Sequence, residues 1–352
     1  MSNAPVQNAI LSDANAERPS EFGWRVWWRV VRRVFAQADE RNLGLISAGV
    51  AFYALLSIFP ALAAIIALWG YVADPVMIGE QMDIARQLLP EDAFAILNDQ
   101  VSALVTANNS TLQLTSLLSL VLAVWTARNG IAALIRGLNS IYRARHRSNP
   151  LRRYVVAILL TVLLILVAVF AFASVVILPA LLGFLAVPAL TEAVISLLKW
   201  AVVLLVVFFG ICLLYRYGPN RRGARVPWLT SGAFLALFLW AAGSAAFSVY
   251  LRNFGSFNEV YGSLGAVVAL LFWLYLSAYV VLLGAQMNAE LELSTTRDST
   301  IGDPAPAGQR QAWVADHVLD EDGNPHLART AHSADAGPTE EPPIEPDKKL
   351  RL

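Results

Sequence analysis

The chain has 352 residues, of which 57% are hydrophobic and 15% charged, with 26 basic side chains balanced by 26 acidic ones. A soluble globular domain carries about 25% charged residues, so this composition, with a mean hydropathy of +0.55, excludes an ordinary water-soluble domain and points to lipid as the solvent. The formal net charge is zero, so the placement of the charges carries the information, and a single cysteine, Cys212, excludes an internal disulfide.

The first twenty residues are polar and small and read as a mobile arm. No charged stretch leads directly into a short apolar segment, so no secretory signal is expected. From Phe22 to Phe35 the pattern is helical. Trp24, Trp27, Trp28, Val31 and Phe35 share one side, and Arg25, Arg29, Arg32 and Arg33 hold the other. Such a helix suits the membrane interface. Docking on the protein's own surface is the alternative.

A hydrocarbon core of about 30 Å needs about 20 apolar residues in a helix. Six stretches qualify: 43–72, 111–134, 154–185, 191–215, 226–251 and 264–287. The expected fold is all-α, a polytopic bundle of six transmembrane helices (residues 43–291), because backbone polar groups in lipid must be satisfied within each segment. Arginines set the orientation. Arg25, Arg29, Arg32, Arg33 and Arg41 precede the first span. Arg143, Arg145, Arg147, Arg152 and Arg153 separate the second and third, and Arg216, Arg221, Arg222 and Arg225 the fourth and fifth. Placing all three clusters in the cytosol puts both termini there.

The connection 73–110 is long. Asp74-Pro75 and Pro90-Glu91-Asp92 read as starts of two short amphipathic helices that cover the outer face or pack on the bundle. Beyond residue 291 the composition turns acidic and rich in proline, so 292–352 reads as a disordered cytoplasmic tail. His317, His326 and His332 lie there without ligand spacing, and no metal site is expected.

Ionisable groups inside spans are costly and mark function by default. Arg128, Ala132, Arg136, Asn139 and Arg143 form a stripe on the second span. Arg128 lies about 26 Å along that helix from Thr111, near the inner boundary. The arginines are candidate contacts for an anion or lipid headgroup; snorkelling to the interface is the structural alternative. Near the end of the sixth span Tyr279, Gln286 and Glu290 share a face with Tyr275, and Glu290 is a candidate partner of Arg128 or Arg136, as clamp or as gate. Tyr53, Ser57 and Pro60 give the first span a weakly polar, kinked face. Lys199 with Glu192 on the fourth span reads best as snorkelling outward. Small residues such as Gly232 and Ala236 suit close helix packing in the fifth. There is no Walker loop, dinucleotide fingerprint, HExxH or CxxC. No catalytic residue, cofactor or nucleic-acid partner is expected.

The stretches Ala51-Phe52-Tyr53-Ala54-Leu55-Leu56-Ser57-Ile58-Phe59-Pro60, Leu138-Asn139-Ser140-Ile141-Tyr142 and Tyr215-Arg216-Tyr217-Gly218-Pro219-Asn220 stand out, with Tyr261-Gly262-Ser263-Leu264-Gly265 continuing through Trp273-Leu274-Tyr275 to Leu283-Gly284-Ala285-Gln286-Met287-Asn288-Ala289-Glu290. Together they resemble the YihY/BrkB family of bacterial inner-membrane proteins. The resemblance covers about Leu43 to Leu291. The chain departs from it at Gly218, where an apolar residue is common. The resemblance implies an inner-membrane protein concerned with envelope integrity or lipid handling, whose partners are membrane lipids. Some members carry the label ribonuclease BN, which no hydrolytic cluster here supports. Three functions follow as expectations: transport or flipping of a lipid or other amphiphile, a non-catalytic scaffold for envelope assembly, and, last, a membrane-bound ribonuclease.

Overall fold

Backbone N–H and C=O groups find no water in hydrocarbon, so apolar runs of this length close their hydrogen bonds along themselves as helices. The computed structural model describes residues 15–72, 109–145, 147–183, 189–253, 263–320 and 323–328. Its long helices are α1 (Trp24–Glu40), α2 (Leu43–Val72), α3 (Asn109–Ile141), α4 (Pro150–Gly183), α5 (Ala189–Tyr217), α6 (Val226–Asn253) and α7 (Ser263–Glu292). All of α2 to α7 are long and apolar enough to cross a membrane, giving a polytopic bundle of six candidate spans. The helices run past the expected spans where the polar ends can still hydrogen-bond: α3 continues to Ile141 and α7 to Glu292. The connection 73–108, the turn after Asn253, and the side chains of Glu192 and Lys199 lie outside the described residues.

Each span neighbours the next in sequence, and α7 returns to α2, so the six close into a ring. Helix α7 also touches α3 and α1. The buried side chains concentrate at the end where α2, α4 and α6 begin and α3, α5 and α7 finish. Among the described residues α2 has none beyond Ala51, α4 none beyond Thr161, α6 none beyond Ala236, and α7 none before Ala278. This is the arginine-rich end. Elsewhere the spans present large apolar side chains outward, among them Leu118, Phe170, Phe209 and Phe238.

The packed end is held by small residues and buried polar bonds. At Gly232 and Gly284 α6 and α7 approach so closely that a Cβ on either would strike the other's carbonyl oxygen. The Asn288 side chain bridges the same two helices, accepting from the Gly232 N–H at 2.7 Å and donating to the Leu229 carbonyl at 3.1 Å. The Tyr215 hydroxyl donates to the Val281 carbonyl at 2.6 Å, tying α5 to α7.

The chain after α7 differs from the expected disordered tail. Residues 293–320 and 323–328 fold back on the arginine-rich end, with a short helix α8 (Trp313–Asp316) and a hairpin of β1 (His317–Leu319) and β2 (Pro325–Leu327). The composition is polar, but Leu293, Ala312, Val314, Ala315 and Ala328 are buried, and Trp313 and Leu319 pack partly against the core. Buried hydrogen bonds do the rest. Arg310 donates to the carbonyls of Ala305, Ala315 and Thr296 at 3.0, 2.5 and 3.0 Å. Asp316 accepts from the N–H groups of Gly308 and Arg310. Residues 329–352 lie outside the described residues.

Candidate functional site

One stretch of sequence places a row of guanidinium groups on a membrane helix. Residues 128, 132, 136 and 139 recur every three or four positions of α3 and therefore share a face. That face lines a cleft of about 300 Å³, together with Tyr53 of α2, Asn129 and Ile135 of α3, Arg147 of the following loop, and Arg153 and Ala157 of α4. The volume is at the low end of small-molecule pockets. Among the described residues four arginines line it and no carboxylate does. Neither ion pair found among the described residues involves any of the four.

The arginines sit at different depths. Arg128 and Arg136 are eight residues apart, about 12 Å along the helix, and Arg128 lies about 20 Å from the helix end at Ile141. Arg136 and Arg153 are exposed near the arginine-rich surface. Arg128 is half-buried, its guanidinium 4.1 Å from the centroid of the Tyr154 ring and one nitrogen 2.9 Å from Asn129 Oδ1. Its buried Nε has no hydrogen-bond partner. The ring face offsets part of the cost of a half-desolvated cation, and the site keeps a donor in reserve.

Arg147 is fixed by the turn after α5. It donates to the carbonyls of Gly218, Tyr217 and Pro219 at 3.2, 3.3 and 3.4 Å. Burial, then the charge of Arg152, lowers its guanidinium below the usual arginine range, so an anion in the cleft would relieve it. Asn139, buried at the cleft's inner wall, accepts from the Asn220 N–H at 2.8 Å. The Leu138–Tyr142 and Tyr215–Asn220 stretches thus meet in space.

Other expected site residues separate. Arg143 follows the end of α3 with a positive φ of 49°, which turns its side chain away from the stripe. Its guanidinium lies 4.1 Å over the Trp313 ring. The pairing of Glu290 with Arg128 or Arg136 does not form, because α7 presents Glu290 toward α1 rather than toward that face of α3. Glu290 is buried, with Gln286 Nε2 donating to Oε1 at 2.9 Å. The cations acting on it are Arg33 and Arg41 of α1 and then Arg143. Glu290 Oε2 and Gln286 Oε1 have no hydrogen-bond partner. Arg41 donates to the Ser140 carbonyl at the end of α3. Tyr279 stacks on Tyr275 at 6.0 Å. In α2, Tyr53 reaches the cleft, whereas the Ser57 hydroxyl bonds its own helix at Ala54 and the helix runs on through Pro60.

The sequence reading missed Tyr154 and Asn129. It took Arg147 and Arg153 for topology signals alone. It also missed the buried pair of Arg221 and Glu292, joined by two bonds of 2.7 and 2.8 Å with both side chains almost fully buried. The Arg221 guanidinium lies 4.0 Å from the Tyr142 ring centroid, and the Ser299 hydroxyl donates to Glu292 at 2.7 Å. Burial alone would lower Arg221, but the charge and hydrogen bonds of Glu292 outweigh it and raise the guanidinium above its ordinary value. Among the described residues no three His, Cys, Asp or Glu side chains cluster as a metal site would require.

The sequence model of the family described as "Virulence factor BrkB" matches residues 34–308. The match covers the cleft and reaches into the folded segment after α7. The chain is 28% identical over 253 residues to the "Putative ribonuclease-like protein YfkH" of Bacillus subtilis (strain 168), covering 70% of this chain and 88% of that protein. It is 29% identical over 282 residues to a "UPF0761 membrane protein" of Tolumonas auensis, covering 78% and 86%. A "UPF0761 membrane protein" of Chlorobium limicola is 26% identical over 298 residues, covering 81% and 64%. No solved structure matches the chain. With six spans and a family match over most of its length, the chain is an integral membrane protein and belongs to the BrkB family.

Proposed function

We propose that this protein moves an anionic amphiphile, a phospholipid before others, across the bacterial cytoplasmic membrane. Its arginine-rich end would face the cytosol, as the positive-inside rule requires. The observation that carries this reading is the cleft between α2, α3 and α4, with four arginines, two asparagines and a tyrosine and, among the described residues, no carboxylate on its walls. Guanidinium groups match phosphate oxygens in a bidentate fork. A phosphate entering at Arg153 and Arg136 would find its next cation at Arg128, about 12 Å deeper on α3, while its acyl chains stay in hydrocarbon. No covalent chemistry is needed, and the reading is of a non-enzymatic protein. A metal-dependent ribonuclease, which the name of YfkH suggests, would need clustered ligands, and among the described residues no three His, Cys, Asp or Glu side chains come together.

The test uses purified protein in phosphatidylcholine vesicles with a trace of acyl-labelled fluorescent phosphatidylglycerol or phosphatidylcholine. Dithionite bleaches label in the outer leaflet only. With phosphatidylglycerol the protected fraction should fall below the half seen in protein-free vesicles, and Arg128→Gln with Arg136→Gln should restore it. A protected half with both lipids, or equal loss with both, would refute the reading.

A further inference from the structure

Helix α1 carries three distinct sectors. Val26, Val30, Val34 and Ala38, spaced by four, are buried against the bundle. About 120° around the helix, Trp24, Trp28 and Phe35 are exposed by 75%, 57% and 62%. Trp24 stacks on Trp28 at 5.9 Å. Beyond them Arg25, Arg29 and Arg32 are exposed, with no ion-pair partner among the described residues. The face read from the sequence as one apolar side is therefore split, with Trp27 and Val31 turned partly toward the core. What remains outside is an aromatic ridge beside a cationic ridge.

The bundle shows which way that aromatic ridge points. Trp27, between the docked valines and the exposed aromatics, lines an apolar groove with Phe208 of α5, Phe234 and Phe238 of α6 and Met287 of α7. Phe234 and Phe238 are exposed on a span and so face lipid. The aromatic ridge thus continues the lipid-facing surface of the bundle, and the arginines stand on its far side from the docked valines. A large aromatic surface next to guanidinium groups, held at the end of six spans, has the chemistry of the headgroup layer.

The structure assigns α1 as a docking surface for an anionic leaflet: Trp24, Trp28 and Phe35 lie in the acyl–headgroup boundary, and Arg25, Arg29 and Arg32 hold lipid phosphates. This does not rest on the transport reading. The test places one nitroxide label on the full chain in a Cys212→Ser background, at Trp28→Cys or Arg29→Cys, in nanodiscs of phosphatidylcholine with or without phosphatidylglycerol. Position 28 should be more accessible to oxygen than to a water-soluble nickel chelate, and position 29 the reverse. Phosphatidylglycerol should deepen position 28, and Arg25→Gln with Arg32→Gln should abolish that response. Phe35→Cys repeats the first arm at an independent site. Equal nickel access at positions 28, 29 and 35 overturns the docking. A depth at 28 indifferent to phosphatidylglycerol overturns the preference for anionic lipid.

Discussion

Replacing Glu292 by glutamine keeps the shape of the side chain and removes its charge, leaving Arg221 buried beside Tyr142 without a counter-ion. Both partners are almost fully inaccessible, so solvent cannot make good the loss. Breaking a buried pair from one side costs about 3–5 kcal/mol, and Arg221→Met, which strands the carboxylate, belongs in the same range. Replacing both partners, Arg221→Met with Glu292→Leu, removes both charges together. It sacrifices the hydrogen bond from Ser299 and the contact with Tyr142, and a hydroxyl left without its acceptor costs about 1–3 kcal/mol. The double variant should therefore be more stable than either single one. With an unfolding entropy of about 2.1 cal/mol/K per residue, a chain of 352 residues shifts by about 1.4 °C per kcal/mol, so the single variants should melt roughly 4–7 °C lower in detergent, followed by tryptophan fluorescence. A single variant melting within about 2 °C of the parent, or a double variant losing the sum of the two singles, would refute the reasoning.

Other perturbations probe other joints. Gly284→Ala drives a methyl group into the Gly232 carbonyl and the Tyr215 hydroxyl; overpacking of about 1–3 kcal/mol should show as a lowered melting point and loss of the monodisperse peak. Asn288→Leu removes the two buried bonds to the Gly232 N–H and the Leu229 carbonyl, a loss of about 0.5–1.5 kcal/mol for each bond, read in the same melt. Truncation after Glu292 removes Leu293 and Val314, both fully buried, and at about 1.5–3 kcal/mol per side chain should destabilise the bundle; an unchanged melt would contradict the packing. Acid should loosen the segment after α7. Burial would raise the Asp298 carboxyl, but the N–H groups of Ala305 and Thr300, the Thr300 hydroxyl and Arg310 together hold it below its ordinary value. The stability it contributes is present above its unfolded pKa and is lost as pH falls through the folded one. Asp320 behaves alike, held at about 2 by the His326 and Asn324 side of the hairpin. Pepsin cleavage between residues 293 and 328 should accelerate as pH drops from 4 toward 2, and Asp298→Asn should shift that onset to higher pH.

The spans were legible because lipid admits few backbone solutions: length and apolarity alone set α2 to α7. The cleft was half legible. The spacing of Arg128, Arg136 and Asn139 puts them on one face whatever the tertiary fold, but the opposite wall comes from Arg147 and Arg153, whose role depends on how α4 packs against α3. Glu290 shows the limit. Apolar run lengths suggest a depth like that of Arg128, but Glu290 stands two residues from the end of α7 while Arg128 lies about 20 Å from the end of α3, and α7 turns Glu290 toward Arg33 and Arg41. The segment after α7 was misjudged because composition averages over residues. A few buried apolar side chains and a fully bonded Arg310 suffice when a ready-made surface lies within reach.

In the proposed function the arginine cleft accommodates an anionic headgroup. Ala132 lines the cleft between Arg128 and Arg136, so Ala132→Cys in the Cys212→Ser chain gives a reporter inside it. Its modification by a small water-soluble maleimide, timed in phosphatidylcholine nanodiscs, should slow several-fold when phosphatidylglycerol is included, and the slowing should vanish with Arg128→Gln and Arg136→Gln. A rate that ignores the lipid's charge, with the reporter still reactive, would contradict the account.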